Sequence, residues 1–259
     1  LLLESRKGMS VLDKMSAQLP DTAGVSGKGH LTLGGCDVVE LAAEFGTPLY
    51  VFDEATLRRT CAEYRKEFSQ SYADALVIYA AKAFINRALA IIIREEGLGL
   101  DVVSGGELSI ARSVDFPVEK VYFHGNNKLQ EEIELAISCR IGRIVVDNLY
   151  ELSLVNAVAK GARVTQNILI RLTPGIDAHA HRHVTTGVID SKFGLPIASG
   201  QAEEAVVKAM SASNLKLAGL HVHLGSLIFY AEPYQKAIKI VFQFAAEMRE
   251  KHGFDFLEY

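Results

Sequence analysis

The stretch ALVIYAAKAF, residues 75–84, is an apolar run interrupted near its end by a lysine, Lys82. A short run of this kind is typical of a strand buried on both faces of a parallel sheet. Lysine is seldom fully buried unless it is paired or chemically engaged. Two interpretations of Lys82 therefore stand side by side. It is a side chain that extends into solvent at the strand end, or a desolvated amine that attacks a carbonyl compound.

Runs of the same kind recur along the chain. They are GLDVVSG (99–105), KVYFHG (120–125), RIVVDN (143–148), NILIRLTPG (167–175), LAGLHVHLGS (217–226) and FDFLEY (254–259). The first five runs begin about 21 to 24 residues apart, the size of one strand followed by one helix. Helical patterns lie between the runs, for example NRALAIIIREEG (86–97), with Asn86 as its predicted N-cap. The chain is therefore expected to alternate strands and helices.

This alternation leaves two architectures, a closed (β/α)8 TIM-like barrel and an open doubly wound sheet. An open sheet concentrates its site at one switch point, whereas a barrel distributes functional residues around its rim. Polar residues follow nearly every run; they are Lys82, Ser104, His124, Asp147, Asn148, Arg171, His223 and Ser226. The barrel is therefore favoured. Six strand–helix units and the start of a seventh strand do not complete it, so the sequence is expected to be truncated at Tyr259.

Three segments are predicted along the chain. Residues 1–30, rich in small and polar types, are expected to form a loosely ordered tail. Residues 31–74 are predicted to form a helix, a strand at 48–53 and a second helix. Residues 75–259 are assigned to the incomplete barrel. The sequence GVSGKG (24–29) lacks the spacing of a phosphate-binding loop and supports no nucleotide site.

Composition narrows the classes of function. The 259 residues carry a formal net charge of −4 without a dense lysine and arginine stripe, which argues against a nucleic-acid or membrane surface. The longest apolar runs fall well short of the ~18 residues that a membrane span needs. The three cysteines are scattered, so neither a disulfide framework nor a zinc site is predicted. A reduced, cytoplasmic compartment is the expected location.

Histidines occur in two groups. His221 and His223 alternate in GLHVHLGS, so on a strand both would point the same way, either as metal ligands or as ordinary core and rim residues. Gly225 and Ser226 follow them and would suit a phosphate group. The second group, DAHAHRHV (177–184), is interpreted as a solvated loop rather than a metal site.

Five motifs occur in a characteristic order: YAAKAF, GLDVVSGGEL, FHGNNK, TGVIDSKFGL and HVHLGS. In this order and spacing they resemble the fold-type III pyridoxal-phosphate decarboxylases, whose barrel is of the alanine-racemase type. HGNNK and the segment around DSKFGL are most similar to the branch that acts on diaminopimelate. The resemblance covers residues 31–259, essentially everything after the predicted tail.

The resemblance implies a role for each matching residue. Lys82 would hold pyridoxal 5'-phosphate covalently, and His223 would stack on its ring; both are the expected catalytic residues. The expected cofactor-binding residues are Lys82, Asp101, Glu107, Arg171, His223, Gly225 and Ser226, and no metal is expected. Family members usually carry an asparagine where this chain has Phe84 and a glutamine where it has Leu227.

The implied reaction is decarboxylation of meso-2,6-diaminopimelate to L-lysine and carbon dioxide. The family's C-terminal β-domain is expected to be absent here, and the full-length protein is expected to be a homodimer. One alternative is a decarboxylase of another basic amino acid or of a carboxylated polyamine. Another is a truncated cofactor-binding protein without activity. A third, from a different class, is a metal-dependent barrel hydrolase that uses His221 and His223.

Overall fold

The computed structural model describes residues 18–176, 193–226 and 228–256. Backbone contacts divide the chain into two units, Leu1–Val77 with Glu95–Leu98, and Ile78–Arg94 with Gly99–Tyr259. The predicted segment boundaries at residues 30 and 74 stay predictions.

The smaller unit combines a small antiparallel sheet with two helices. Its elements are β1 (Gly24–Val25), β2 (Leu31–Leu33), β3 (Cys36–Asp37), α1 (Val38–Phe45) and α2 (Glu54–Ser71). Each helix begins at an aspartate whose carboxylate accepts a main-chain N–H of the first turn. Asp37 accepts from Val39, and Asp53 accepts from Thr56 at 2.6 Å.

The expected tail at 1–30 is wrong for its described part, because residues 18–30 are built into the smaller unit. β1 pairs with β2, and the GVSGKG sequence contains β1 and most of the turn that joins the two strands. The Ser26 hydroxyl accepts N–H groups from Lys28 and His30, which supplies bonds that the turn backbone lacks. Small polar residues therefore mark a hairpin here rather than disorder.

The strand expected at 48–53 is not formed. The segment has strand-like composition, yet no described strand pairs with it. A strand exists only through hydrogen bonds to a neighbour, so composition alone cannot create one. Leu49, Tyr50 and Val51 remain exposed as a result.

Among its described residues the larger unit contains seven strands, all paired in parallel. They are β4 (Ile78–Ala80), β5 (Gly99–Val102), β6 (Val121–Phe123), β7 (Arg143–Val146), β8 (Gln166–Thr173), β9 (Leu195–Pro196) and β10 (Leu215–Val222). The order across the sheet is β10-β8-β7-β6-β5-β4, with β9 beside β8. The sheet is therefore open among the described residues, with β4 and β10 at its edges. The predicted α/β class with parallel strands is confirmed.

Helices follow the strands as the sequence predicted. They are α3 (Arg87–Glu95), α4 (Gly105–Ser113), α5 (Gln130–Ser138), α6 (Leu149–Ala162), α7 (Gln201–Ser211) and α8 (Ala231–His252). The side chain of Asn86 accepts the Leu89 N–H at 2.8 Å, which confirms the predicted N-cap. None of the helices in the described ranges is long and apolar enough to cross a membrane.

The core of the larger unit lies between sheet and helices. Ile144, Val145 and Val146 of β7 are all buried, as expected for a strand covered on both faces. The seventh strand was expected at 254–259. Residues 254–256 carry no strand pairing, and residues 257–259 lie outside the described ranges.

Candidate active site

The carboxyl ends of the parallel strands share one edge of the sheet, and the polar rim residues lie there. Ala80 of β4 is in register with Asp101 of β5, and Arg171 of β8 with His221 of β10. Lys82 follows Ala80 by two residues and therefore emerges beside Asp101. In parallel-stranded folds this edge is where functional residues collect.

Lys82 lies on a turn rather than on a strand. β4 ends at Ala80, and Ala81–Ala83 form a single turn of 3-10 helix in which Ala81 is buried and Lys82 exposed. The alternation of a strand therefore stops before the lysine, and the turn directs its amine away from the core. Its charge still acts on the site: it opposes the rise that burial causes in the pKa of Asp101, and it adds to the fall that burial causes in the pKa of His223.

Asp101, His124 and His221 form a buried polar cluster at this edge. His124 Nε2 lies 3.5 Å from Asp101 Oδ1, too far for a hydrogen bond. The rings of His124 and His221 meet edge to face, with their centroids 4.5 Å apart. Asp101 Oδ1 and His221 Nδ1 are buried without a hydrogen-bond partner among the described residues. Buried polar atoms are normally satisfied, so two such atoms, each on a side chain that adjoins His124, suit a bound polar group.

Burial sets the protonation of this cluster. Burial raises the pKa of Asp101 to about 7, with Glu107 acting in the same direction and Lys82 against it. Burial, reinforced by the charge of Lys128, lowers the pKa of His124 to about 3. Burial also lowers the pKa of His221 and, less completely, that of His223. The three imidazoles are therefore neutral at physiological pH.

Replacing Asp101 with asparagine is expected to stabilise the protein more at pH 8 than at pH 5. The folded-state pKa lies above the unfolded value of 3.8, so the carboxyl group favours folding while protonated. That contribution is lost as the pH rises through the interval from about 4 to about 7. The advantage of the variant should shrink by about 2–3 kcal/mol between pH 8 and pH 5. Urea unfolding at both pH values measures it, and an advantage independent of pH would contradict the assignment.

Arg171 is held rigidly on β8. Its Nη1 donates to Asp147 Oδ1 at 2.7 Å, and its guanidinium lies 4.8 Å from the centroid of the Phe193 ring. The other oxygen of Asp147 accepts the Gly194 N–H at 3.0 Å. The guanidinium is thus fixed by a salt bridge on one side and an aromatic face on the other.

The buried ion pair of Lys128 and Glu151 connects the segment after β6 to β7 and α6. Lys128 Nζ donates to Glu151 Oε1 at 2.6 Å, Val145 O at 2.8 Å and Gly125 O at 2.7 Å. All three ammonium hydrogens therefore have acceptors. Burial lowers the pKa of Lys128 and raises that of Glu151, while the attraction between the two charges opposes both shifts.

Glu107 caps the start of α4, the helix in which it lies. One of its carboxylate oxygens accepts the Val103 N–H at 2.7 Å, and its main-chain N–H donates to Ser104 Oγ at 3.2 Å. The pair closes the start of α4 as a helix cap. Gly225 has φ of 139° in the turn after β10, and Ser226 beside it is exposed.

Some predicted residues are not brought together, and some cannot be placed. β10 ends at Val222, so His223 lies beyond the strand that was expected to align it with His221. In the described ranges no group of three histidine, cysteine or acidic side chains is arranged to hold a metal ion. Residues 177–184 and Leu227 lie outside the described residues. Phe84 is exposed beside the lysine turn, where its carbonyl accepts the Tyr79 hydroxyl at 2.8 Å.

Several residues of this edge could not be assigned a role from the sequence alone. His124 and Asp147 were recognised only as polar residues after strands, and Lys128 and Glu151 were not singled out. A lysine directly after HGNN and a glutamate in the first turn of α6 were the available signals. Neither residue type reveals a partner 23 positions away along the chain.

The chain belongs to the pyridoxal-dependent decarboxylase family. Residues 54–258 match the family described as "Pyridoxal-dependent decarboxylase, pyridoxal binding domain". The family assignment made from the five motifs is confirmed.

Several similar proteins are diaminopimelate decarboxylases. The chain is 46% identical to a diaminopimelate decarboxylase of Halalkalibacterium halodurans, over 90% of this chain and 53% of the relative. It is 44% identical to that of Bacillus methanolicus, over 90% of this chain and 54% of the relative. The crystal structure of diaminopimelate decarboxylase from M. jannaschii in co-complex with L-lysine matches with a TM-score of 0.82 and 34% identity. That match covers 91% of this chain and 55% of the other. The chain thus spans about half the length of the curated relatives it matches.

The residues at the edge fit the cofactor named by the family. Pyridoxal phosphate carries an aldehyde that condenses with an amine, and Lys82 presents an exposed amine at the strand ends. Pyridoxal phosphate also carries polar ring atoms and the negative charge of its phosphate. The unpartnered Asp101 and His221 atoms and the guanidinium of Arg171 are suitable counterparts.

Proposed function

We propose that this chain supplies the cofactor site for decarboxylation of meso-2,6-diaminopimelate to L-lysine and carbon dioxide. The proposal is supported by relatives of that name at 43–46% identity over most of the chain. The observation that carries it is the placement of the Lys82 amine beside a buried, unsatisfied polar cluster at the sheet edge.

The chemistry divides between cofactor and chain. When bound, pyridoxal phosphate withdraws electrons from the substrate carbon that loses its carboxyl group. Lys82 anchors the cofactor through its amine, and after exchange with the substrate amine its Nζ is free to hold or deliver a proton. The exposed position of Lys82 allows that exchange without rearrangement of the core.

Neighbouring residues orient the cofactor. His223 has its pKa lowered by burial and by the charge of Lys82, so its ring is neutral and can lie flat against an aromatic face. The contacts with Asp147 and Phe193 restrict the Arg171 guanidinium, so its positive charge has a fixed position beside the cofactor. Fixed partners align the bond to be broken with the cofactor ring.

The phosphate is assigned to the turn after β10. Gly225 would contribute its main-chain N–H to the phosphate, and Ser226, which is exposed, would contribute its hydroxyl. Asp101 and Glu107 support the cofactor from the β5 side, Glu107 by fixing the start of α4.

Replacing Lys82 with alanine is expected to abolish covalent capture of pyridoxal phosphate. The protein is incubated with the cofactor and treated with borohydride, which converts a carbon–nitrogen double bond into a stable amine. In the unsubstituted protein, peptide mass spectrometry should then find the label on Lys82 at lower cofactor concentrations than on any other lysine. Trapping detects weak binding as well as tight binding, so the readout does not depend on turnover.

Two variants serve as controls for the labelling. Lys82→Arg keeps the positive charge but should remain unlabelled, because a guanidinium does not condense with the aldehyde. Lys208→Ala removes an exposed lysine paired with Glu204 and should leave labelling at Lys82 unchanged. Labelling of Lys82 no faster than Lys208 would refute the assignment.

Substrate choice is tested by release of carbon dioxide. The full-length protein should release it from meso-2,6-diaminopimelate and much less from ornithine, arginine or lysine. Release from one of the other basic amino acids would identify another decarboxylase of the family. Trapping at Lys82 without release from any substrate would indicate a cofactor-binding protein without activity.

The remaining partner assignments belong to the same proposal. We infer a cytoplasmic homodimer that binds a small amino-acid substrate and neither nucleic acid nor membrane. The net charge of −4 and the dispersed basic residues support the absence of a polyanion surface. Sedimentation of the full-length protein measures the oligomeric state.

A further inference from the structure

Asp101 and His124 face each other across an unfilled hydrogen-bond position. Asp101 Oδ1 is buried without a hydrogen bond to any described residue, and His124 Nε2 lies 3.5 Å from it. Both side chains are only 15% exposed, so water does not freely satisfy either atom. A shift of a few tenths of an ångström would bring the two atoms within hydrogen-bond range.

His124 is held so that this nitrogen keeps its direction. Its main-chain N–H donates to Val102 O at 2.8 Å, which continues the pairing of β5 with β6. Its ring meets the His221 ring edge to face, which limits rotation on the other side. The imidazole therefore has one nitrogen towards Asp101 in either of its neutral forms.

We propose that Asp101 and His124 act as one proton-holding pair, in which His124 changes tautomer when Asp101 gains a proton. With Asp101 ionised, His124 Nε2–H donates to the carboxylate. With Asp101 protonated, its O–H donates to His124 Nε2, and the ring hydrogen is on Nδ1. The added proton comes from water and returns to water, and no bond to carbon forms or breaks. His124 is then a positioning residue for Asp101.

The charged groups around the pair favour a proton on Asp101 over a second proton on the His124 ring. The titratable groups that act on it from neighbouring elements are Lys82, Glu107, Lys128, Arg171, His221 and His223. The charges of Lys128, Arg171 and Lys82 oppose a positive charge on the His124 imidazole. The proton therefore resides on the carboxyl side, and the ring stays neutral in both states.

This inference deepens the proposed function and rests on it only for the cofactor readout. In the proposed site the pair lies beside Lys82, whose charge acts on both of its members. A carboxyl group that changes charge there alters the field on a bound cofactor as the pH passes neutrality. The spectrum of the bound cofactor should therefore report the protonation of Asp101.

The first test is nuclear magnetic resonance of the histidine rings as a function of pH. The nitrogen chemical shifts of the two His124 ring positions should interchange as the ring passes from one neutral tautomer to the other, with a midpoint near pH 7. The carboxyl carbon of Asp101 should titrate with the same midpoint. Asp101→Asn should remove the change at His124 entirely. Formation of an imidazolium at His124 near pH 7, or an unchanged profile in Asp101→Asn, would overturn the proposal.

A second variant and a matched control guard against a folding defect. His124→Gln should shift the Asp101 carboxyl midpoint by at least half a pH unit, because the adaptable partner is lost. Glu203→Gln alters the part-buried contact of Glu203 with His252, 2.9 Å between Oε1 and Nε2, and should leave the His124 signals unchanged. An unshifted midpoint in His124→Gln would count against the pair.

The cofactor supplies an independent readout. With pyridoxal phosphate bound, its visible absorbance should show an inflection near pH 7 that Asp101→Asn abolishes. A tautomer change in a protein that fails to bind added pyridoxal phosphate would support the pair and defeat the proposed function. A bound cofactor whose pH profile is identical in Asp101→Asn would defeat the pair and leave the proposed function standing.

Discussion

Lys128→Met is expected to lower the free energy of unfolding by about 3–5 kcal/mol. The substitution keeps most of the side-chain volume but removes the ammonium group that three acceptors surround. Glu151, with only 4% of its side chain exposed, would be left as an uncompensated buried charge. Urea unfolding at pH 8 measures the loss. The loss should diminish towards pH 5, because the pKa of Glu151 is raised and the carboxyl group can protonate.

Two comparisons separate the buried charge from other causes. The double variant with Lys128→Met and Glu151→Leu should recover most of the loss, because an apolar pair leaves no charge unpaired. Lys208→Met removes an exposed pair with Glu204 and should change stability by less than about 1 kcal/mol. If Lys128→Met lowered the free energy of unfolding no more than Lys208→Met does, the buried pair would not contribute to stability.

Gly142→Ala is expected to destabilise the protein by about 3 kcal/mol through a steric clash. A Cβ at this position would lie 2.1 Å from Glu119 O and 2.7 Å from Glu119 C. Both are main-chain atoms of the short turn Val118–Lys120 that leads into β6, so no flexible side chain can move aside. The Gly142 N–H also donates to Val118 O at 2.7 Å, which keeps the two segments close. Thermal unfolding measures the effect.

Gly161→Ala provides the opposite sign as a control. Gly161 lies in the last turn of α6, and nothing lies within 4 Å of the Cβ that alanine would add. Alanine should stabilise that helix by about 0.5–1 kcal/mol, because it has less backbone freedom to lose on folding. A destabilisation in both variants would point to a general intolerance of substitution rather than to the clash at Gly142.

The repeating strand–helix pattern was predictable because it depends on local composition. Apolar runs bounded by helical patterns located six strands, and the observed β5 and β7 begin at the residues where the runs were placed. Capping at Asn86 also follows from residues within a few positions of one another. Local signals of this kind survive folding because tertiary packing reinforces them.

What the sequence did not reveal depends on contacts between distant residues. The 48–53 segment has the composition of a strand, but pairing requires a neighbour that composition does not supply. The contact between Asp101 and His124 depends on the register of β5 against β6 and on the position of a ring from β10. Residue type alone left two interpretations of Lys82 open, and only the motif resemblance implied a role for it. Neither predicted the turn that makes the amine accessible.

The order of the strands also bears on how the chain is made. Each strand from β5 to β8 pairs with the strand that precedes it in the sequence, and β10 adds to the free edge of β8. On the ribosome the N-terminal strands emerge first, so each new strand meets an edge that already exists. The sheet can thus grow by accretion, one strand and one helix at a time, and no early strand has to await a distant partner. The rim that carries Lys82, Asp101 and His124 is complete before β10 brings His221 to close the cluster.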